Sequence, residues 1–249
     1  MSVTIKSERE IGLMREAGKI LAKTHEELAK ALKPGMSTLD IDRLGEEIIH
    51  SYGCIPSFKN YGGYPASICV SVNDEVVHGI PCKERILMDG DIVSLDAGVI
   101  YKGYHSDAAR THAVGEISPK ARKLIEVTKE SFFEGIKFAK EGYHLNDISR
   151  AICNYAQSFG YGVVRDLVGH GIGKKLHEDP EIPNFSQRRR GIKLQAGMTL
   201  AIEPMINIGT WKVVWLDDDW TVVTEDGELS AHYENTVLIT KGEPEILSL

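Results

Sequence analysis

Long apolar segments are absent from this sequence. The amino terminus has no apolar run that would serve as a signal peptide, and no run approaches the ~18 apolar residues of a membrane span. Cysteine is also scarce, and the four cysteines form no Cys-x-x-Cys pair. These absences favour free thiols in a reducing compartment. We therefore expect a cytoplasmic protein without a membrane partner.

Basic charge is in the minority as well. Lys and Arg number 29 against 36 Asp and Glu, so the net charge is -7. An acidic balance argues against nucleic acid or an anionic membrane as the main partner. We interpret the only basic run, residues 188–190, as an exposed loop. The 249 residues, 42% of them apolar, are enough for one large globular domain or two tightly joined halves.

Phosphate-binding and serine-nucleophile motifs are missing, and acidic residues stand out instead. Residues 90–107 predict two strands joined by a tight turn at 101–103. With a two-residue loop, positions whose numbers sum to 203 or 205 lie opposite each other, so Asp96 and Asp107 share one face in either register. Two carboxylates this close are costly to ionise unless a cation lies between them. The hairpin therefore predicts a metal site.

The order of predicted elements occurs twice. Helices are predicted at about 7–32, 38–52, 119–140 and 146–159, and each pair is followed by strands. At an offset of 107, residues 90–96 match 197–203, so Glu203 is the counterpart of Asp96. At an offset of 127, implying an insertion of about 20 residues, Asp107 matches Glu234. Coincidence is the alternative, but four acids matched in pairs favour a duplication with half-repeats at about 10–115 and 117–242.

A duplicated domain would bring the four acids together near a pseudo-twofold axis. Four carboxylates balance the charge of two divalent cations, and one softer ligand is usual for a transition metal. His170, flanked by glycines in residues 168–173, is the best candidate for that ligand. His78 and His177 lie in loops bounded by Gly or Pro, from which they can donate to an oxyanion or pass a proton to a leaving amine. This equipment predicts metal-assisted hydrolysis.

Five segments together closely resemble type I methionine aminopeptidase: residues 70–81, Asp96 with Asp107, residues 168–180, residues 198–205 and residues 231–236. The resemblance runs over essentially the whole chain. It implies an α+β fold of the duplicated "pita-bread" type, in which a curved antiparallel sheet is covered by helices, and a single catalytic domain over residues 1–249.

The resemblance also implies roles for individual residues. Two divalent ions (Co, Mn, Fe or Zn) would be bound by Asp96, Asp107, His170, Glu203 and Glu234. Asp107 and Glu234 would bridge the ions, and Glu203 would take a proton from the attacking water. His78 would contact the scissile amide nitrogen and His177 the carbonyl oxygen. The methionine pocket would consist of Tyr61, Tyr64, Cys69, Leu176 and Trp220, with Phe58 at its rim. Core packing is the alternative explanation for these apolar residues.

The expected activity is removal of the initiator methionine from nascent polypeptides whose second residue is small, by a monomer in transient contact with the ribosome. Two alternatives remain: an Xaa-Pro aminopeptidase or prolidase of the same fold, and a non-catalytic binding homologue. The sequence departs from the family pattern at Asn235, where His is usual, and at Gly62, where some relatives have His. Neither departure removes a ligand.

Overall fold

The computed structural model describes residues 3–249. Within this range four α-helices span Glu8–Ala31 (α1), Thr38–Ser51 (α2), Pro119–Ile136 (α3) and Leu145–Ser158 (α4). Serine side chains cap the first three by accepting a hydrogen bond from a backbone N–H three residues ahead. The predicted helices are confirmed with one correction. The third ends at Ile136 rather than near residue 140, because the chain turns there and Lys140 bridges to the carboxyl-terminal segment.

Short strands make up most of the remaining regular structure. In chain order they are Ile55–Pro56 (β1), Ile68–Val72 (β2), Glu75–Val77 (β3), Ile92–Tyr101 (β4), Tyr104–Ala113 (β5), Gly162–Val163 (β6), Gly169–Gly171 (β7), Glu178–Ile182 (β8), Thr199–Ile202 (β9), Met205–Asn207 (β10), Val213–Trp215 (β11), Val222–Thr224 (β12), Ser230–His232 (β13), Asn235–Leu238 (β14) and Glu245–Ile246 (β15). They pair antiparallel in four sheets. One contains β1, β2 and β5 around β4, and another has the order β15-β14-β9-β7-β8. The two smaller sheets have the orders β13-β10-β6 and β11-β12-β3.

The hairpin of β4 and β5 has the register in which opposed residue numbers sum to 205. Its two-residue loop, Lys102 and Gly103, has positive φ angles of 47° and 82°, as tight hairpin turns require. Asp96 lies opposite Ala109, and Asp107 lies opposite Gly98. The two acids are therefore diagonal neighbours on one face, which confirms the prediction.

The two halves repeat each other in backbone detail. Helices α2 and α4 begin and end 107 residues apart. The glycines that precede them, Gly35 and Gly142, have nearly equal positive φ angles of 90° and 95°. Isolated bridges between residues 37 and 86 and between residues 144 and 193 follow the same offset. These correspondences support the duplicated α+β architecture, whereas the limits of the half-repeats stay a prediction.

A hydrogen-bonded seam joins the halves. The Thr236 hydroxyl accepts from the Asp107 backbone N–H at 2.8 Å and donates to the Asp107 carbonyl at 2.9 Å. The Glu234 N–H donates to the Ala109 carbonyl at 2.9 Å. Each half has its own apolar core, and a third apolar cluster lies between them. The seam thus places acids from both halves beside one another. Within residues 3–249, no helix combines the length and apolar character needed to span a membrane.

Candidate metal centre

One cavity of about 180 Å³ collects all of the site residues expected from the sequence. Its lining consists of Phe58, Tyr61, Gly62, Tyr64, Cys69, His78, Asp96, Asp107, His170, Leu176, His177, Glu203, Trp220 and Glu234. A cavity of ~150 Å³ holds a benzene-sized ligand, so this one has room for a small side chain. Residues more than 170 positions apart in the chain meet there because the two halves close on each other.

Acids from four different places converge at the floor of the cavity. Asp96 comes from β4, Asp107 from β5, Glu203 follows β9, and Glu234 lies between β13 and β14. Asp107, Glu234 and His170 each offer one ligand atom, and these atoms all lie within 4.8 Å of one another. Nε2 of His170 lies 3.7 Å from Oε1 of Glu203. This spacing leaves room for a cation between the ligand atoms.

The acids are too buried and too close to be ionised together without a cation. Burial, reinforced by Glu203, raises the pKa of Asp96 to about 7, and burial raises that of Glu203 to about 8. The pKa values of Asp107 and Glu234 are raised well above their usual range by burial and then by the neighbouring acids.

Within residues 3–249, one carboxylate oxygen on each of Asp96, Asp107 and Glu234 is buried with no hydrogen-bond partner. The nearby guanidinium of Arg110 donates to backbone carbonyls and to the Asn235 amide, not to these oxygens. Unpartnered oxygen ligands and uncompensated negative charge are what divalent cations satisfy. The residues therefore fit a metal centre.

His170 presents one nitrogen to this cluster. Its Nδ1 lies 2.9 Å from the Gly171 carbonyl, so Nδ1 carries the proton and Nε2 is left as an acceptor. Burial lowers its pKa to about 3, which keeps the ring neutral, as a metal ligand must be. A Cβ on Gly171 would lie 2.2 Å from the Asp179 carbonyl oxygen, and one on Gly169 2.4 Å from that of Ala201. The flanking glycines thus let neighbouring strands approach the histidine closely.

Two further histidines lie above the acids. Burial lowers the pKa of His78 to about 4 and also lowers that of His177, so both rings are neutral at pH 7. His78 directly follows β3 and has a positive φ of 59°, a backbone conformation that is uncommon outside glycine. Nδ1 of His177 lies 2.7 Å from the Tyr61 hydroxyl. If that hydroxyl donates, Nε2 of His177 carries the proton and can donate into the cavity.

Aromatic rings form one wall of the cavity. The edge of Trp220 packs against Tyr64 with ring centroids 5.1 Å apart. The Tyr64 hydroxyl donates to the Gly79 carbonyl at 3.0 Å, which fixes the loop that carries His78. Phe58, expected at the rim, is only 8% exposed, and the exposed ring is Tyr61 at 42%. Phe58, Tyr64, Cys69 and Leu176 belong to a buried apolar cluster and also line the cavity, so for them the two interpretations are compatible.

Two further residues, His232 and Asn235, are neighbours of the acids, and the sequence assigned neither of them a contact. His232 is 1% exposed, and its Nε2 lies 3.6 Å from Oε2 of Glu203. Its strand position beside Glu234 was the available signal. Asn235 accepts hydrogen bonds from Arg110 at 2.6 Å and from the Ser248 hydroxyl at 3.1 Å. Its side chain therefore contacts the carboxyl-terminal segment, and no sequence signal indicated that contact.

Comparison with known proteins identifies the class that this fold and site define. Residues 12–241 match the model of metallopeptidase family M24, and the chain belongs to that family. It is 60% identical over 247 residues to methionine aminopeptidase from Clostridium acetobutylicum, covering 99% of both chains. The crystal structure of methionine aminopeptidase from Thermotoga maritima superposes with a TM-score of 0.97 at 46% identity, covering 99% of both chains.

A more distant relative shares the fold. The structure of an Xaa-Pro dipeptidase from Bacillus anthracis matches 98% of this chain with a TM-score of 0.79 and 26% identity. The match covers 61% of that longer chain. The fold is thus common to several peptidases, and high identity over the whole length is found with methionine aminopeptidases.

Proposed function

We propose that this protein is a metal-dependent aminopeptidase that removes the amino-terminal methionine from polypeptides whose second residue is small. The observation that carries the proposal is a single cavity with buried acids and His170 on its floor and an aromatic wall beside them. High identity to methionine aminopeptidases over the whole chain supports the same conclusion. The Xaa-Pro alternative has only the shared fold in its favour.

For the metal centre, we propose five protein ligands: Asp96, Asp107, His170, Glu203 and Glu234. Asp107 and Glu234 contribute one carboxylate from each half, so the two halves would hold the ions together. When bound, two divalent ions lower the pKa of a water molecule and polarise a carbonyl group. Ligation by oxygen atoms and one imidazole suits manganese, iron, cobalt or zinc.

The chain's own groups would then move the protons. Glu203 would take a proton from the attacking water; its carboxylate oxygens lie 3.7 Å from Nε2 of His170 and 3.6 Å from Nε2 of His232. His177 would donate from Nε2 to the carbonyl oxygen as negative charge develops there, with its tautomer fixed by Tyr61. His78 would contact the amide nitrogen and assist its departure as an amine.

The aromatic wall would hold the methionine side chain. Tyr64, Trp220, Leu176 and the buried thiol of Cys69 provide apolar and sulfur contacts that suit an unbranched thioether. Burial raises the pKa of the Cys69 thiol, so it stays protonated and acts as a packing group. Phe58 and Tyr61 would complete the pocket.

We further propose that the protein works in the cytoplasm as a monomer. All four cysteines are free thiols, as expected in a reducing compartment. Nascent polypeptides as substrates would require at least transient contact with the ribosome. Light scattering of the purified protein tests the monomer, and co-sedimentation with ribosomes tests the contact.

The activity is tested with purified, metal-loaded protein and a Met-Ala-Ser peptide. We expect the wild type to release methionine and to leave Ala-Pro peptides intact. Glu203→Gln and His170→Ala should abolish release, whereas Glu243→Gln, a change at an exposed ion pair, should not. Near-normal turnover by either cavity variant would contradict the assignment. Elemental analysis that finds no bound metal under any loading would favour a non-catalytic homologue.

A further inference from the structure

The loop of residues 172–177 brings His177 to the cavity without regular secondary structure. It connects β7 to β8. Its backbone hydrogen bonds outside the strands lie at its beginning: Ile172 N–H donates to Thr199, Gly173 N–H donates to Lys175, and His105 N–H donates to Gly173. A loop with so few backbone hydrogen bonds needs side-chain contacts to hold a histidine in one place.

Glu178, the residue after His177, provides those contacts. Its Oε2 accepts from the Lys6 ammonium at 2.7 Å and from the Thr4 hydroxyl at 2.6 Å. Its Oε1 accepts from the Lys175 backbone N–H at 3.2 Å, within the loop itself. One carboxylate therefore ties the loop to the amino-terminal segment, 172 residues away in sequence.

The amino-terminal segment is itself fixed. The Lys6 N–H donates to the Gly197 carbonyl at 2.8 Å, and α1 begins two residues later. The side chains of Lys6 and Glu178 are only 5% and 11% exposed. A Cβ on Gly173 would lie 2.6 Å from the Glu178 carboxylate and 2.7 Å from Cε of Lys6. Because Gly173 has no side chain, the ion pair can pack directly against the backbone of the loop.

A buried ion pair of this kind adds little net stability, because the desolvation of both charges offsets their attraction. The effect of this pair is on geometry: it fixes the position of Glu178, and therefore that of the adjacent His177. Neither Lys6 nor Glu178 lines the cavity. Burial alone would raise the pKa of Glu178, but the hydrogen bonds from Lys6 and Thr4 lower it, so this carboxyl group is ionised at neutral pH.

We propose that Lys6 and Glu178 are positioning residues for His177, and that the ion pair orders the loop so that the imidazole meets the substrate carbonyl oxygen. The inference rests on the proposed function, in which His177 makes that contact. Residues 4–6 would then help to position an active-site histidine, although none of them lines the cavity.

The test compares Lys6→Met and Glu178→Gln with Arg15→Met. The control removes an arginine of α1 from a more exposed ion pair, the one with Glu245. We expect both loop variants to lower kcat for Met-Ala-Ser by roughly 10–100-fold, as small misplacements of catalytic groups do. KM should change little, and so should the metal affinity measured by calorimetry. The control Arg15→Met should match the wild type in all three quantities.

Two readouts separate positioning from a general loss of structure. In a His177→Ala background, Lys6→Met should have little further effect on kcat, because its effect passes through His177. Hydrogen exchange of amides 173–178 should be faster in Lys6→Met than in wild type or Arg15→Met. Equal losses of kcat in both backgrounds, or unchanged exchange in a folded variant, would overturn the proposal. A wild-type protein that does not cleave Met-Ala-Ser would contradict the proposed function instead, and exchange alone would then decide whether Lys6 orders the loop.

Discussion

Replacing Glu203 by glutamine should stabilise the metal-free protein while it abolishes activity. The folded protein raises the pKa of this carboxyl from 4.5 to about 8 because the group is buried. Between these values the folded state holds the proton and the unfolded state has lost it. The contribution of Glu203 to stability is therefore complete below pH 4.5 and is lost as the pH rises through 8. Glutamine does not titrate and removes this loss.

The magnitude follows from the shift. One pKa unit corresponds to ~1.4 kcal/mol, so Glu203 costs the metal-free protein about 4 kcal/mol at pH 8 and about 1 kcal/mol at pH 5. The glutamine amide is still a buried polar group and retains part of the burial cost. We therefore expect Glu203→Gln to raise the free energy of unfolding by about 2–4 kcal/mol at pH 8, with a smaller gain at pH 5.

The assay is urea unfolding of chelator-treated protein at pH 5 and pH 8. Glu243→Gln is the matched control, because it makes the same chemical change at a side chain that is 83% exposed. A gain that is absent at pH 8, or equal at both pH values, would refute the reasoning. Added divalent metal should reverse the order of stability at pH 8, since only the wild type retains the full set of ligands.

Three other substitutions test the site more locally. Tyr61→Phe removes the hydroxyl 2.7 Å from His177 and should lower kcat about tenfold without a change in metal content, which is less than the 10²–10³-fold loss typical of a removed oxyanion donor. The control is Tyr52→Phe, which removes a hydroxyl bonded to Glu27. An unchanged kcat for Tyr61→Phe would contradict the assigned tautomer of His177. Gly171→Ala puts a methyl group 2.2 Å from the Asp179 carbonyl oxygen, so urea unfolding should show a loss of about 1–3 kcal/mol and titration a weaker metal affinity. The control is Gly12→Ala in α1, which meets no atom within 4 Å and should be as stable as the wild type or more stable, because alanine favours a helix. A Gly171→Ala variant as stable as the wild type would argue against the close approach of β7 and β8. Trp220→Ala opens the wall beside Tyr64 and should raise KM for Met-Ala-Ser more than it lowers kcat; a change confined to kcat would place the methionine side chain elsewhere.

The hairpin and the repeat were accessible from the sequence because both rest on local rules. Strand periodicity and a two-residue turn fix which residues share a face, and so they place Asp96 beside Asp107 before any tertiary contact is known. Helix α2 and its counterpart α4 each follow a glycine and carry an aspartate in the first turn, Asp40 and Asp147, which is why the offset of 107 was visible. The end of α3 was misjudged because a bridge from Lys140 to a distant segment, not a local signal, ends the helix.

The sequence by itself determined the acid pairs, the histidine between glycines and the family resemblance, since each is written in residue types at fixed spacings. Only the tertiary structure decided how the pieces act on one another. It placed Thr236 on the seam, turned Asn235 toward Arg110 and Ser248, and set Tyr61 against His177. It also joined Lys6 to Glu178 across 172 residues. Such contacts form when the two halves pack together and bury their polar groups, because each buried polar group then needs a hydrogen-bond partner. That partner is whichever group the packing brings near, and it is often far away in the sequence.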